Sequence, residues 1–579
     1  MKVLLFDPYS DVWVHSFPAS LVAETLAQHG HEVHAMRCDG VLNEFCIAMS
    51  ARGNTPTLSA AERHEACQSC RKRRQVLDEA FPFSTHLLES WLESEDFTRV
   101  NDLLSTLQPN DWTDLCVDEL PIGRIAAYEF FLTYKLNSHD IPSELWPIYG
   151  KFLRNSLLVF FAIRRMFSSL AFDAILVYNG LYSTNRLVSQ LAAARGIPSW
   201  AMHAGGHVVD KFSTICLYQS DLLPVLSYNT QEWHEVRSRP LTGREIVRVK
   251  NHVAEILRGR NVFVYSSAVE GRSGADIRQH FGIEVDQKVL LVTLSSGDEI
   301  VAARLAGLFP EGQVGDQMFT DSAQWIRFLI DEVVDRPDLF LLIRVHPREF
   351  PNKREGQRSQ NSFLLEQVLQ DLPSNAAVNW PEQQISLYDL IDTVDVVLNS
   401  TSSAGLELSA FGLPVVLHDT QYMLSYDPQI HRVVTSRRDY MTAVDGALTA
   451  GRSIENSRNA FRWWSFMFSH VAVSIEEGFS YPASGYTLPA TKWWNKLYNK
   501  LLKLAARLAP PIKERSDVRQ RKPLRLGHLF NQVVVEGRDF AITPQPSGSA
   551  SLNDETAALN ESLEELRNLL HAGLPGGSK

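Results

Sequence analysis

Two segments about fifty residues apart carry the residue types best suited to gripping a charged group. The first is Phe340-Leu-Leu-Ile-Arg-Val-His-Pro-Arg-Glu349 and the second is Val394-Asp-Val-Val-Leu-Asn-Ser-Thr-Ser-Ser-Ala-Gly-Leu-Glu407. In the first, an apolar run delivers Arg344, His346 and Pro347. An imidazole there can donate to a phosphate oxygen, and the proline fixes the direction of the turn. In the second, Ser400, Thr401, Ser402 and Ser403 stand in a row, followed by Gly405 and Glu407. Four hydroxyl residues make a poor helix interior but a good helix start. Their N–H and O–H groups can cup a phosphate, and Glu407 can accept from ribose hydroxyls. A third apolar run, Lys288–Ser296, ends in Ser295 and Ser296. The same residues would serve an ordinary α/β domain as strand-end and helix caps.

Apolar, β-branched strands that each run into polar residues imply a parallel sheet covered by helices on both faces. Ligands of open α/β sheets bind at the carboxyl ends of the strands. The first half of the chain supports the same reading. Lys2–Pro8, a helix over Pro18–His29 closed by Gly30, and Glu32–Arg37 form a β-α-β opening. Ala174–Gly180 and Ile197–His203 continue the first sheet. Phe340–Val345, Val394–Asn399 and Pro414–His418 extend the second beyond Lys288–Ser296. The expected class is therefore α/β, with two Rossmann-like doubly wound domains facing across a cleft and a C-terminal helical extension. The expected divisions are residues 1–255, with a helical, cysteine-containing insertion over about 38–145, then 256–487 and 488–579.

A length of 579 residues suits two domains. Its 45% hydrophobic and 21% charged residues are those of a globular protein. A formal net charge of −11 argues against a general nucleic-acid binder. The opening run is short and ends in an acid, so no secretory signal is read there. No apolar run is long enough for a transmembrane helix, and six cysteines in a chain of this length imply no disulfide framework. The expected location is the cytoplasm. Thr491–Arg525 is different, with eleven Lys and Arg against two acids. Within it Trp493–Leu508 is amphipathic, with aromatic residues beside lysines. It reads either as a peripheral anchor on the anionic inner face of a membrane or as a helix crossing back onto the first domain. The final helix carries Leu559, Leu563, Leu566 and Leu570 in one stripe, a surface through which copies could pair.

Cys38, Cys46, Cys67 and Cys70 follow a C-x7-C-x20-C-x2-C spacing. Four such thiolates can hold a structural zinc or an iron–sulfur site; the plain alternative is that Cys38 is core and the rest are free thiols. For an acid–base group the first-half candidates are Asp7, Asp11, His15, Asp118, Glu119 and His203. Asp7 and Asp11 follow the first strand and should face the cleft, and Asp118-Glu119 is an acidic pair in an apolar setting.

The order of strand–His346-Pro347, strand–Ser402-Ser403–helix–Glu407 and Phe411-Gly-Leu-Pro-Val-Val416 resembles the C-terminal half of GT-B glycosyltransferases. It is most similar to bacterial capsule and surface-polysaccharide enzymes, including Kdo and sialic acid transferases with "HP" and "SS" motifs. Asp298-Glu299, Gln324-Trp325, Tyr178-Asn-Gly180, Asn185-Arg186 and Gly196–Gly206 resemble the same group. The resemblance implies transfer of a sugar from a nucleotide donor to a hydroxyl of a glycan or lipid-linked acceptor. It implies that His346, Ser402 and Ser403 bind the nucleotide phosphate, and it tilts the donor toward a CMP-activated acidic sugar. No cofactor is expected for the chemistry, and no Asp-x-Asp metal motif follows a strand. Met202-His-Ala-Gly-Gly206 departs from the His-Glu-Arg-Gly form of some relatives, which leaves the base unassigned. A CDP-polyol phosphotransferase, a nucleotide-sugar epimerase and a non-catalytic assembly scaffold are the alternatives.

Overall fold

A computed structural model describes residues 1–259, 264–309, 317–352, 356–479, 511–544 and 550–573. Strands β1 (Lys2–Phe6), β2 (Glu32–Arg37), β3 (Ser84–Leu87), β4 (Ala174–Tyr178), β5 (Ser199–Ala204) and β6 (Thr214–Gln219) build the first sheet. Strands β7 (Lys288–Thr293), β8 (Leu339–Arg344), β9 (Ala376–Asn379), β10 (Val396–Asn399), β11 (Val415–Leu417) and β12 (Arg432–Val433) build the second. A short strand, β13 (Val473–Ser474), then returns to the first sheet. The orders are β13-β6-β5-β4-β1-β2-β3 and β12-β11-β10-β7-β8-β9. Every pairing is parallel except β5 with β6 and β6 with β13. Both sheets reverse direction of growth in the middle, which opens a crevice at the carboxyl edge.

Side chains alternate across each strand, and both faces of the central strands are buried, whereas β3 and β12 at the sheet edges are not. Leu4 and Phe6 of β1 and Val289 and Leu291 of β7 belong to one continuous core. Val3 and Leu5 turn instead to the outer layer of the first sheet, and Leu290 and Val292 to that of the second. The shared inner core locks the two sheets to each other. Polar contacts add to it. Arg186 donates to the carbonyls of Ala306 and Gly307 at 2.8 Å each, and the Lys135 ammonium donates to those of Arg348 and Gln357.

The end of the chain crosses back. Part of the stretch expected to belong to the second unit, β13, pairs with β6 at the edge of the first sheet. Helices Ile512–Gln520 and Gly527–Glu536 also lie on the first domain. The Trp13 indole donates to Asp517 at 2.9 Å, and Arg521 pairs with Glu24 at 2.9 Å. Trp493–Leu508, the basic amphipathic stretch, lies outside the described residues. No described helix is long and apolar enough to cross a membrane.

The leucine stripe corrects an expectation. Leu559, Leu563, Leu566 and Leu570 of helix Leu552–Ala572 are buried in the shared core, against helix Gly243–Leu257. Glu555, on the same helix, is buried between Arg458 and Arg462 at 2.9 and 2.8 Å. The stripe is used within the chain and offers no face for pairing two copies.

Candidate functional site

Two cavities open between the carboxyl edges of the sheets. The first, of 330 Å³, is walled on the second domain by Arg344, His346, Pro347, Ser402, Ser403 and Glu407, and on the first by Lys211 and His252. The second, of 840 Å³, is walled mainly by the first domain, with Glu129, His15 and Tyr182 facing Glu299 and Arg348. Tyr265 borders both.

The phosphate-side geometry follows from short local bonds. The Arg348 N–H donates to His346 Nδ1 at 3.2 Å, which leaves the proton of the neutral ring on Nε2, the tautomer that can donate outward. The Ala404 N–H donates to Ser402 Oγ at 3.3 Å, and the Asn399 side-chain amide holds the Ser402 carbonyl at 2.8 Å. Ser403 and Tyr388 donate to the two oxygens of Glu407 at 2.9 and 2.7 Å. Burial raises the Glu407 carboxyl from its ordinary range. Burial lowers Arg344 to about 10, so it keeps its charge at neutral pH. Its guanidinium is held by Asn379 and by the Ile385 carbonyl at 3.0 Å. The helix that follows, Ala404–Ser409, is only six residues long. A six-residue helix offers little dipole, so an anion in this cavity would be met chiefly by the imidazole and hydroxyl donors.

The nucleotide-binding set divides. Ser295, Ser400 and Thr401 line a different cavity, of 400 Å³, on the far side of the same strand ends, with Thr401 donating to Ser295 at 2.9 Å. Ser296 is buried against Asp298 and Arg348. A side chain at Gly405 would meet the Tyr426 hydroxyl at 2.3 Å and the Asn399 amide at 2.6 Å. Its glycine serves packing behind the loop and not a ligand.

Five of the six acid–base candidates are placed elsewhere. Asp7 is buried in an ion pair with Arg37 and accepts from Ser16 at 2.7 Å. Asp11 is neutralised by Arg52 and Arg73. Both follow β1 as expected, but each is consumed by a guanidinium that the sequence does not place beside it. Asp118 and Glu119 sit at an exposed turn with φ of 49° and 68°, and Asp118 pairs with Arg164. His15 lines the larger cavity, while His203 lines neither, lying behind Tyr178. His15 stacks on Tyr178 at 4.2 Å. Burial lowers them to about 3 and about 4, so both are neutral and weakly basic.

The carboxylate that fits the role was missed. Glu129 lies on helix Tyr128–Tyr134, and its Oε1 accepts the Ser183 N–H at 2.8 Å, at the start of helix Ser183–Ala193. Its Oε2 is buried without a hydrogen-bond partner among the described residues. Burial raises the carboxyl to about 7, the range in which a general base works best at neutral pH. Glu349 is raised as far, but its two oxygens accept from Ser359 and Asn361 and it lines neither cleft cavity. Burial also raises Asp78, Asp389, Glu407 and Asp419, so a raised pKa alone does not mark the base; of the two carboxyls raised to about 7, the unpartnered oxygen in the cleft distinguishes Glu129.

Cys38, Cys46, Cys67 and Cys70 line one small cavity, and none is in a disulfide. As they stand, no three described His, Cys, Asp or Glu side chains are placed to share an ion.

No protein-family model and no curated protein matches the chain. Similar solved structures include the β-Kdo 2,4 transferase of Thermosulfurimonas dismutans KpsC, at 14% identity over 50% of this chain and 79% of that one, with a TM-score of 0.30. The β-Kdo 2,7 transferase of the same protein gives 13%, 59%, 89% and 0.29. The calicheamicin glycosyltransferase CalG4 gives 13%, 88%, 99% and 0.24. At these identities and TM-scores none of the three bears on the activity of this chain.

Proposed function

We propose that the protein is a glycosyltransferase that moves a sugar from a nucleotide donor to a hydroxyl of a glycan. The observation that carries this reading is a set of phosphate-binding side chains lining one cavity and an unpartnered carboxylate, Glu129 Oε2, in the neighbouring cavity, with Tyr265 bordering both. His346 Nε2–H and the Ser402 hydroxyl donate to the leaving phosphate, the Ser403 hydroxyl being given to Glu407, while Arg344 and Lys211 supply positive potential from the two walls. Charge that develops on the phosphate as the glycosidic bond breaks meets donors already in place. Glu129 Oε2 takes the proton of the acceptor hydroxyl as that oxygen bonds to the anomeric carbon. The larger cavity has room for several sugar units on the acceptor side. A CMP-activated acidic sugar is our donor assignment, and a surface polysaccharide or lipid-linked glycan is our acceptor assignment. The carboxylate at Glu129 favours an enzyme over a scaffold.

The test is nucleotide release from a panel of nucleotide sugars with short glycan acceptors. Wild-type protein is expected to release one nucleotide, with Glu129→Gln at least a hundredfold slower and equally able to bind that nucleotide. Release at the wild-type rate by Glu129→Gln removes the base assignment, and release from no donor removes the enzyme reading.

A further inference from the structure

The 400 Å³ cavity on the far side of the strand ends lies across helix Gly297–Leu305 from the larger cleft cavity. Glu299 and Ala303 of that helix face the cleft, whereas Gly297, Ile300 and Arg304 face the 400 Å³ cavity. Asn137 and Ser138 reach it from the first domain. Its volume suits a small ligand.

Two side chains in its wall hold buried polar atoms that no protein group meets. The Arg304 guanidinium lies over the Tyr422 ring at 4.2 Å, and its Nε and Nη2 atoms make no hydrogen bond among the described residues. Those two nitrogens form one edge of the guanidinium. Arg336 uses the same edge to grip both oxygens of Asp338 at 2.9 Å each, the bidentate geometry that matches a carboxylate. A cation kept from water without a partner is costly, and an anionic ligand offsets that cost. Asn137 Oδ1 is likewise buried without a hydrogen bond among the described residues and can accept from a hydroxyl.

The rest of the wall selects among anions. Asp321 and Asp419 also line the cavity. Asp321 caps helix Ser322–Val333 by accepting the Gln324 N–H at 2.8 Å. Asp419 accepts the Met318 N–H at 2.8 Å and feels the charge of Arg304, but makes no ion pair with it among the described residues. Burial keeps His418 neutral. One guanidinium beside two acids suits a monoanion better than a phosphate monoester, which carries close to two charges. Phe319, Trp325 and Tyr422 are buried and give flat apolar walls, with hydroxyls at Ser322 and Ser400. Apolar faces with a few placed hydroxyl and amide groups fit a sugar ring.

We propose that this cavity binds a saccharide bearing a carboxylate, with the acid on the Nε and Nη2 edge of Arg304 and a ring hydroxyl on Asn137 Oδ1. The site goes beyond the transfer reaction proposed above, and its occupancy requires neither nucleotide nor turnover. A ligand there rests on one face of helix Gly297–Leu305, and the cleft lies along the other.

The experiment is calorimetric titration of glucuronate, galacturonate and N-acetylneuraminate into the full-length protein, with glucose and glucose 6-phosphate as uncharged and dianionic counterparts. At least one sugar acid should bind saturably, at least tenfold tighter than either counterpart. Arg304→Gln should weaken that binding at least tenfold without lowering the melting temperature, since it removes an unpaired buried charge. His346→Ala and Glu129→Gln should bind the sugar acid as wild type does. If Arg304→Gln fails to fold, hydrogen exchange in wild-type protein decides: the sugar acid should protect residues 297–305 and 418–422 and leave 402–407 unchanged. Binding of no sugar acid, tighter binding of glucose 6-phosphate, or equal affinity in Arg304→Gln overturns the proposal. So does binding that is lost in His346→Ala and kept in Arg304→Gln, which would put the acid in the cleft and leave the transferase reading standing.

Discussion

At Glu129 the demands of chemistry and of folding oppose each other. Its carboxyl holds a proton up to about pH 7 in the folded chain, against an ordinary value near 4.3 when unfolded. The folded state therefore binds this proton more tightly. The stabilisation is fully present below the unfolded value and is lost as pH rises through about 7. The loss is of the order of 3 kcal/mol at high pH. Glu129→Gln should thus match wild type in melting temperature at pH 4 and exceed it at pH 8, as scanning calorimetry would show. An equal difference at both pH values would mean that Oε2 is not isolated. Activity should run the other way, falling as pH drops below 7 and the base is protonated. Nothing local marks this residue: Tyr128-Glu-Phe-Phe131 reads as part of a plain helix. Asp7 and Asp11 were the more legible choices because they follow a strand. They were displaced by Arg37, Arg52 and Arg73, whose proximity only the tertiary fold decides.

Among the elements, the loop from β10 into Ala404–Ser409 depends on what lies behind it. Asn399 and Tyr426 occupy the space a side chain at 405 would need, and Asn399 also holds the Ser402 carbonyl. Gly405→Ala should push that amide away and cost about 1–3 kcal/mol. It should also weaken nucleotide binding, although residue 405 touches no ligand; equal affinity in the variant would mean that the loop is set some other way. The terminal helix supplies a second case. Glu555 neutralises Arg458 and Arg462 in the interior, so Glu555→Ala leaves two buried guanidinium groups and should destabilise by about 3–5 kcal/mol. An unchanged denaturation midpoint would show that this helix is not part of the cooperative unit. Apolar strands such as β1, β7, β8 and β10 were legible because both of their faces are buried. Ser84–Leu87 and Ala376–Asn379 were not, since polar or small residues at sheet flanks carry no such pattern; Thr214–Gln219 was not read as a strand although it is apolar and buried along most of its length. The leucine stripe was legible as a buried face, but its partner, helix Gly243–Leu257, was not.

On the scale of the molecule, two doubly wound sheets meet edge to edge with one inner core and a cleft at their carboxyl ends. That arrangement was legible in the alternation of strand and helix signals along the chain. The return of the chain to the first sheet was not, because β13 is two residues long, too short to show a pattern, and only the tertiary fold seats Val473 in the outer core of the first sheet. The account rests on the smaller cavity being a nucleotide site that acts with the carboxylate beyond it. Calorimetric titration of CMP, then UDP, GDP and CDP, into wild type, His346→Ala and Glu129→Gln tests it most directly. The account predicts saturable binding of one nucleotide to wild type, unchanged in Glu129→Gln and at least tenfold weaker in His346→Ala with the fold intact. Binding of no nucleotide, or equal affinity in His346→Ala, would contradict it.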